Sequence, residues 1–158
     1  MSEFLDYFEG RQIAWEHGRA VWWTLTPLRY QSAGLGATVV IPAEFITDLA
    51  SVPRAPFAFW LTGGRGTRSA VLHDFSYQFG YWLRDADGGR MYVSKAEADA
   101  TFLESLRVDP ISGAGPLAAR LMYLGVRVGG RGCWRRDERR ARLNPEWSAT
   151  GGPRVEAA

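Results

Sequence analysis

"TRSAVLHDFSYQFGYW", residues 67–82, is the stretch that decides the fold. Large apolar side chains recur in it at helical spacing, which predicts an α-helix. These positions are Val71, Phe75, Phe79 and Trp82. Further apolar or aromatic side chains fall on other sides of the same helix: Leu72, Tyr77 and Tyr81. Because a helix that is apolar on most sides is buried, we expect it to lie in the middle of the fold.

The chain before this helix has the pattern of β-strands. "RQIAWE" (11–16) and "GRAVWWTLTPL" (18–28) contain alternating positions, the period of a strand. A tight turn at His17 and Gly18 would join the two runs into a hairpin. "GATVVIPAEFI" (36–46) predicts another strand, and Pro42 restricts it to an edge, a bulge or a strand end.

The chain after it has the pattern of two more helices. "SKAEADATFLESLRV" (94–108) opens with Ser94 and Glu97 at the spacing of a capping box, and Asp109 with Pro110 ends it. "GPLAARLMYLGVRVGG" (115–130) has Pro116 at the first helical position and two glycines at its end. Its apolar positions fall on one side of the helix: Leu117, Leu121, Leu124 and Val128.

These patterns predict the α+β class, with N-terminal antiparallel β-strands and a hairpin packed against a C-terminal group of about three helices. A length of 158 residues fits one domain, and 46% hydrophobic residues with 13% aromatic predict an aromatic-rich core. We assign residues 1–130 to a single α+β domain. Residues 131–158 are arginine-rich and contain glycine and proline, which predicts a C-terminal arm.

Charge and apolar runs limit the partners. The net charge of +2 is too small to argue for polyanion binding by itself. The arm holds an arginine cluster near Trp134, and Asp137 and Glu138 interrupt it, which favours an assembly arm over nucleic-acid binding. The arginines are Arg135, Arg136, Arg139, Arg140 and Arg142. No apolar run approaches the roughly 20 residues that span a bilayer, so we expect no membrane partner. The single Cys133 allows neither an internal disulfide nor a cysteine-based zinc site.

Asp99 is the candidate functional residue that the helix pattern selects. It shares a helix face with Phe102, Leu103 and Leu106, and a buried carboxylate needs a hydrogen-bonding partner, a cation or a metal. His73 and Asp74 lie about 100° apart on the central helix, so one of them can face Asp99. Asp48, in "FITDLASVPR" (45–54), would add a third acid from the loop after a strand.

Two interpretations of these residues are open. Asp48, His73 and Asp99 could hold a divalent metal of unknown identity, since carboxylates with one imidazole suit manganese, iron or zinc. Alternatively, they form a buried hydrogen-bond network that braces the helices against the sheet. A nucleophile triad of Ser51, His73 and an aspartate is weaker, because Ser51 has no glycine-flanked nucleophile turn and fits a cap for the turn at Pro53.

Two further motifs are weaker still. "DADGG" (85–89) resembles the start of a calcium loop, but position 12 of that loop would be Ala96 rather than Glu, which favours a polar turn. The His73–Asp74 pair is similar to that of the HD phosphohydrolases. Those enzymes also have an upstream histidine, whereas the only other histidine here, His17, lies in the β half.

The ordered motifs resemble a known family. "FITDLASVPR", "AVLHDFSY", "SKAEADATFLESL" and "RLMYLGVRV" are similar to domain of unknown function 1353, over about residues 35–130. The matching residues are Thr47, Asp48, Ser51, Pro53, His73, Asp74 and Asp99. The resemblance implies a bacteriophage or prophage product and no particular activity.

Two functions follow as expectations. In a metal-dependent hydrolase, Asp48, His73 and Asp99 would hold the ion, Asp74 would orient His73, and Thr47 and Ser51 would position carboxylates or substrate. In a non-enzymatic virion component of the tail region, the polar cluster only braces the core. Other phage structural proteins would then bind the aromatic surface and the arm. The expected locations are the bacterial host cytoplasm for the first function and the virion for the second.

Overall fold

The structure is a computed structural model that describes residues 1–16, 19–49, 67–109, 115–130, 134 and 144. These residues form eight β-strands and three α-helices. The strands are β1 (Glu3–Phe4), β2 (Gly10–Glu16), β3 (Arg19–Thr24), β4 (Leu28–Ser32), β5 (Ala37–Ile41), β6 (Ile46–Thr47), β7 (Tyr81–Arg84) and β8 (Arg90–Tyr92). The helices are α1 (Thr67–Phe79), α2 (Lys95–Val108) and α3 (Pro116–Gly129).

The strands form two antiparallel sheets, which confirms the α+β class. The larger sheet has the order β1-β4-β5-β7-β8, and the smaller sheet has the order β2-β3-β6. The predicted hairpin is β2 with β3, in which Gly10 pairs with Thr24 and Glu16 with Arg19. β5 ends at Ile41, directly before Pro42, because proline has no N–H for the ladder.

The predicted central helix is shorter than its apolar pattern suggested. α1 ends at Phe79, where Gly80 takes a left-handed backbone (φ 74°) and its N–H donates to the carbonyl of Ser76 at 2.8 Å. This is a common helix C-terminus, since glycine reaches that conformation without steric cost. Tyr81 and Trp82 therefore lie in β7, and the extension of the helix to Trp82 was wrong. The polar turn predicted at residues 85–89 joins β7 to β8, and Gly89 N–H donates to Asp87 Oδ1.

α1 lies in the middle of the fold, as its pattern predicted. Every residue from Arg68 to Tyr77 is buried, and the helix packs on α2 and β7. The largest buried side chains are mostly aromatic: Trp82, Tyr30, Tyr81, Phe45, Phe75 and Phe102. Burying each such side chain contributes roughly 1.5–3 kcal/mol, so this aromatic core is the main stabilising feature of the fold.

α2 begins and ends where the sequence predicted. Glu97 N–H donates to Ser94 Oγ at 3.2 Å, and Ser94 N–H donates to Glu97 Oε2 at 2.7 Å, which completes the capping box. Glu104 then ties α2 to the larger sheet. It accepts hydrogen bonds from Tyr30 Oη at 2.9 Å and Ser32 Oγ at 2.8 Å. The capping box thus stabilises the first turn of α2, and Glu104 links the middle of the helix to the larger sheet.

α3 lies on the outside of α2. Its Ala119, Met122 and Val126 pack against Phe102 and Leu106 of α2. The four apolar positions that share the other side of α3 are exposed to solvent: Leu117, Leu121, Leu124 and Val128. Within the described residues, the helices are too short or too polar to cross a membrane.

Candidate functional site

α1 carries two adjacent buried polar residues that point to different neighbours. His73 and Asp74 are each only 1% exposed. His73 Nε2 lies 3.1 Å from Asp99 Oδ1 of α2, whereas Asp74 Oδ2 accepts a hydrogen bond from Thr47 Oγ1 of β6 at 2.6 Å. Adjacent residues diverge by about 100° on a helix, so one turn of α1 reaches both α2 and the smaller sheet.

Asp99 is the centre of the first contact and is completely buried. Its Oδ1 accepts hydrogen bonds from His73 Nε2 and from Tyr77 Oη, the latter at 2.5 Å. Its Oδ2 accepts hydrogen bonds from Lys95 Nζ at 2.7 Å and from Arg127 Nη1 at 3.3 Å. Four donors from three helices therefore converge on one carboxylate, which we call the Asp99 cluster.

The pKa of Asp99 reflects this balance. Burial by itself raises the pKa, but hydrogen bonds from His73, Lys95 and Tyr77 outweigh it and lower the pKa to about 2. The carboxylate is thus ionised at neutral pH, and His73 Nε2–H is the donor in its contact with Asp99. The rings of Tyr77 and Phe102 pack against this imidazole in tilted orientations, with centroids 4.0 Å and 4.6 Å from it, and restrict its orientation.

Lys95 links the cluster to the end of α3. Its Nζ donates to the carbonyl of Val126 at 3.2 Å as well as to Asp99, and lies 5.5 Å from the centre of the Tyr77 ring. A cation at a helix C-terminus stabilises the free carbonyls there. The first turn of α2 and the last turn of α3 are therefore joined through one ammonium group.

The second contact lies at the corner after β6. Thr47 Oγ1 donates to Asp74 and accepts from Leu49 N–H at 3.1 Å. Leu49 has a left-handed backbone (φ 50°), which is uncommon for a residue with a side chain and marks a tight, constrained corner. Asp48 lies between these two residues and is buried. The aspartate of "FITDLASVPR" is thus part of the fold interior.

The structure brings only part of the predicted metal set together. His73 and Asp99 are in contact, as the helix faces predicted. Asp74 contacts Thr47, and the described residues contain no group of three or more His, Cys, Asp and Glu side chains that could hold a metal ion. Asp48, His73 and Asp99 therefore form no such group. Ser51 and Pro53, the predicted nucleophile and turn residue, lie outside the described residues.

Sequence reasoning missed three members of the Asp99 cluster. Tyr77 lies one helical turn after His73, and Lys95 lies four residues before Asp99, so helical spacing could have identified both. Arg127 comes from α3, and its sequence context gives no such signal. Glu104, which anchors α2 to β4, was also missed, because an acid on a helix usually faces solvent.

The Asp99 cluster has little access to solvent. His73 and Asp99 are buried, and the cations that approach them, Lys95 and Arg127, lie on the solvent side with side chains 18% and 42% exposed. A cavity of about 730 Å³ lies elsewhere, between the β3–β4 connection and the β7–β8 turn, and its lining includes Arg29 and Asp85. His73 and Asp99 are therefore the buried part of the cluster, and Lys95 and Arg127 lie between them and solvent.

Parts of the C-terminal arm contact the domain near the Asp99 cluster. The Trp134 ring lies edge-on to Tyr77 with centroids 5.0 Å apart. Asn144 accepts from Ile46 N–H at 2.9 Å and donates to the Ile46 carbonyl at 2.7 Å, so it pairs with the backbone of β6. The other residues of 131–158 lie outside the described part of the chain.

Comparison with known proteins identifies the family. The family model "Protein of unknown function (DUF1353)" matches residues 22–126, from β3 to α3. This range holds the corner after β6, both polar residues of α1 and Asp99. No curated protein and no solved structure matches the chain. Because the match spans most of the chain and includes the first three motifs and most of the fourth, the protein belongs to the DUF1353 family.

Proposed function

We propose that this protein is a non-enzymatic structural or assembly component, of bacteriophage or prophage origin, in which the Asp/His centre is a brace. One observation carries the proposal: four donors from three helices converge on the fully buried Asp99 carboxylate. A carboxylate has two oxygens with about four acceptor sites in total, so the Asp99 cluster uses its acceptor capacity in holding the helices together.

The hydrogen bonds and charges of the Asp99 cluster favour a structural brace rather than a metal site. His73 Nε2 donates to the ionised Asp99 carboxylate, so this nitrogen is not available as a metal ligand. A cation at Asp99 would have to displace Lys95 or Arg127, which already neutralise the carboxylate. Each displacement would remove one of the polar links between α2 and α3. The arrangement therefore favours packing over ligand exchange.

Burial supports the same conclusion. A substrate must reach the reacting group, but His73 and Asp99 are nearly or completely inaccessible. Removing one partner of a buried ion pair leaves an uncompensated charge, and this penalty gives the cluster a strong influence on stability. A residue set of this kind is expected where several helices must keep one fixed arrangement.

The biological setting comes from the family resemblance, which implies a phage or prophage product. Within a virion, and specifically its tail region, the exposed surface and the residue 131–158 arm would bind other phage structural proteins. The virion is then the expected location of the assembled protein, and the host cytoplasm is the location before assembly. This role requires no membrane and no nucleic-acid partner.

A metal-dependent hydrolase is the competing proposal, and one observation favours it. The contacts Thr47–Asp74 and His73–Asp99 bring the family motifs together on one turn of α1. Active sites also concentrate buried groups with perturbed pKa values, and the pKa of Asp99 is lowered to about 2. In this version a divalent ion would bind near Asp48 and His73.

Metal content and thermal stability separate the two proposals. We expect the purified wild type to contain no stoichiometric metal by inductively coupled plasma mass spectrometry, and to show no shift in Tm with Mg²⁺, Mn²⁺ or Zn²⁺. Asp99→Asn should lower Tm, while the matched control Asp85→Asn, at an exposed turn position, should leave it unchanged. A stoichiometric metal that is present in the wild type and lost in Asp48→Asn would overturn the brace.

The assembly role has its own test. Mass spectrometry of purified particles from a host that carries the gene should detect the protein at a fixed ratio to known tail proteins. Its absence from particles, with normal expression in the cell, would remove the virion role and leave the brace untouched.

A further inference from the structure

α3 is apolar on two opposite sides. At about 100° per residue, the side that packs on α2 and the side with the exposed residues lie roughly 180° apart. Leu117 and Val128, at the two ends of the exposed stripe, are 73% and 77% exposed, and Leu121 and Leu124 between them are about half exposed. A helix that is apolar on opposite sides is normally covered on both. Here α2 covers one side only.

The exposed side has the spacing of a coiled-coil seam. Leu117, Leu121, Leu124 and Val128 are separated by four, three and four residues, which is the d-a-d-a pattern of a heptad repeat. The stripe is about 16 Å long, or three helical turns. We call these four residues the α3 seam.

We propose that the α3 seam binds a second copy of this chain, with the two α3 helices parallel across a two-fold axis. In that arrangement each seam residue meets its own equivalent, which is the simplest self-complementary contact. The rest of each domain lies beyond the buried face of α3, on the side away from the partner, so the domains do not obstruct the approach.

The flanks of the seam favour the parallel orientation. Arg120 and Arg127 lie along one edge, and the small residues Ala118 and Gly125 lie along the other. In a parallel pair the arginine edge of one copy faces the small-residue edge of the other, which avoids like-charge contacts and allows close approach. An antiparallel pair would instead place the two arginine edges together.

The described part of the arm lies away from the α3 seam. Trp134 contacts Tyr77 of α1, and Asn144 pairs with Ile46 of β6. Both contacts are on other elements, so neither Trp134 nor Asn144 covers the seam. Contiguous apolar patches larger than a few hundred Å² are rare on monomers and mark interaction sites.

The expected affinity follows from the size of the seam. Specific dimers typically bury about 800 Å² per partner, and interfaces of that size have dissociation constants from micromolar to picomolar. Because the α3 seam is only two heptads long, we expect a dimer at the weak, micromolar end of this range. The proposed self-association adds detail to the proposed assembly role, and it depends on that role only for its biological setting. It is measured on purified protein, so either proposal can fail while the other holds.

The first test is the mass of the full chain in solution. Sedimentation equilibrium from low to high micromolar concentration should show a monomer–dimer equilibrium for the wild type. Leu121→Glu/Leu124→Glu should be monomeric throughout. Leu25→Glu is the matched control, because Leu25 is 47% exposed against 49% for Leu121 and lies outside α3, and it should dimerise as the wild type does. A monomeric wild type, or a dimer unaffected by the double substitution, would overturn the proposal.

The second test determines orientation and does not depend on glutamate substitutions. In a Cys133→Ser background, Leu117→Cys and Val128→Cys should each form disulfide-linked dimers with themselves on mild oxidation. In an antiparallel pair, cross-links would appear only when the two variants are mixed, and that result would overturn the parallel arrangement. Circular dichroism of every variant verifies that the helices are intact.

A third measurement identifies another occupant. If the wild type is monomeric and hydrogen exchange shows α3 protected only while residues 131–158 are attached, the arm covers the seam and the dimer proposal is wrong. If α3 protection rises with protein concentration, the seam binds a second copy.

Discussion

α1 and α3 show opposite relations between residue type and burial. α1 includes Ser69, His73, Asp74 and Ser76, yet all four are buried. α3 has a clear stripe of leucine and valine, yet that stripe is exposed. The difference shows that position in the fold decided burial. α1 is surrounded by α2 and the sheets, and His73, Asp74 and Ser76 each have a hydrogen-bond partner, although the buried Ser69 hydroxyl has none among the described residues. α3, by contrast, packs mainly on α2.

The two helices also use different forces. α1 is held by directional contacts, in which loss of one partner leaves a buried polar group unsatisfied. α3 is held on α2 by apolar contact along its length, where the cost of a substitution scales with the volume removed, and by polar contacts of Lys95 and Arg127 at its last turn. Substitutions in the two helices should therefore differ in how much they lower the free energy of unfolding and in whether that loss depends on pH.

The largest effect is expected at the Asp99 cluster. Asp99→Asn removes the charge on which His73, Lys95 and Arg127 converge, and we expect a loss of about 3–5 kcal/mol in the free energy of unfolding. Asp85→Asn, at an exposed turn, should change it by less than about 0.5 kcal/mol. Urea denaturation followed by tryptophan fluorescence measures both. Equal losses for the two variants would show that the Asp99 cluster contributes no more to stability than an exposed turn residue does.

The two sides of α3 give the next comparison. Met122→Ala opens a cavity against Phe102 and Leu106 and should cost about 2–5 kcal/mol. Leu124→Ala, on the exposed side, should cost less than about 0.5 kcal/mol in dilute solution where the chain is monomeric. Thermal denaturation at low concentration compares them. A larger loss for Leu124→Ala would mean that the seam is covered within one chain.

Acid should weaken the Asp99 cluster selectively. The folded-state pKa of Asp99 is lowered to about 2, so its stabilisation is complete above about pH 4 and declines as the pH falls toward about 2. Over that window the wild type should lose roughly 2 kcal/mol more than Asp99→Asn, which has no carboxyl at this position to titrate. Asp6 and Glu104 also have lowered pKa values, and both variants share them. If the free energy of unfolding falls equally with pH in the wild type and in Asp99→Asn, Asp99 is not the group whose titration weakens the fold.

Among the substitutions expected to destabilise the protein, the smallest loss in the free energy of unfolding is expected at the corner after β6. Thr47→Val keeps the shape of the side chain but removes the hydroxyl between Asp74 and Leu49, at a cost of about 1–2 kcal/mol. Thr47→Ser retains the hydroxyl and serves as the control. Amide hydrogen exchange at Leu49 should increase in the valine variant only. An unchanged rate would place the constraint in the Leu49 backbone itself.

The sequence predicted those features that depend on local rules. The capping box at Ser94, the proline start of α3 and the end of β5 before Pro42 each follow from backbone chemistry within a few residues. The contact of His73 with Asp99 was also predictable, because a carboxylate on an apolar helix face needs a partner.

Features that depend on tertiary contacts were not predictable in the same way. Tyr81 and Trp82 continue the apolar spacing of α1, and only the conformation of Gly80 separates them into a strand. The exposed side of α3 and its buried side are both apolar, so periodicity could not choose between them. Arg127 reaches Asp99 from another helix, a contact that spacing along the chain cannot indicate.

Lys95 gives the Asp99 cluster a chemical reporter. It is the only lysine among 158 residues, and in the folded state its amine donates to Asp99 and to the end of α3. An acylating reagent requires a free amine lone pair, which this ammonium can offer only after it leaves both partners. The rate at which mass spectrometry detects acylated Lys95 would therefore measure how often this side chain leaves the Asp99 cluster in the native protein.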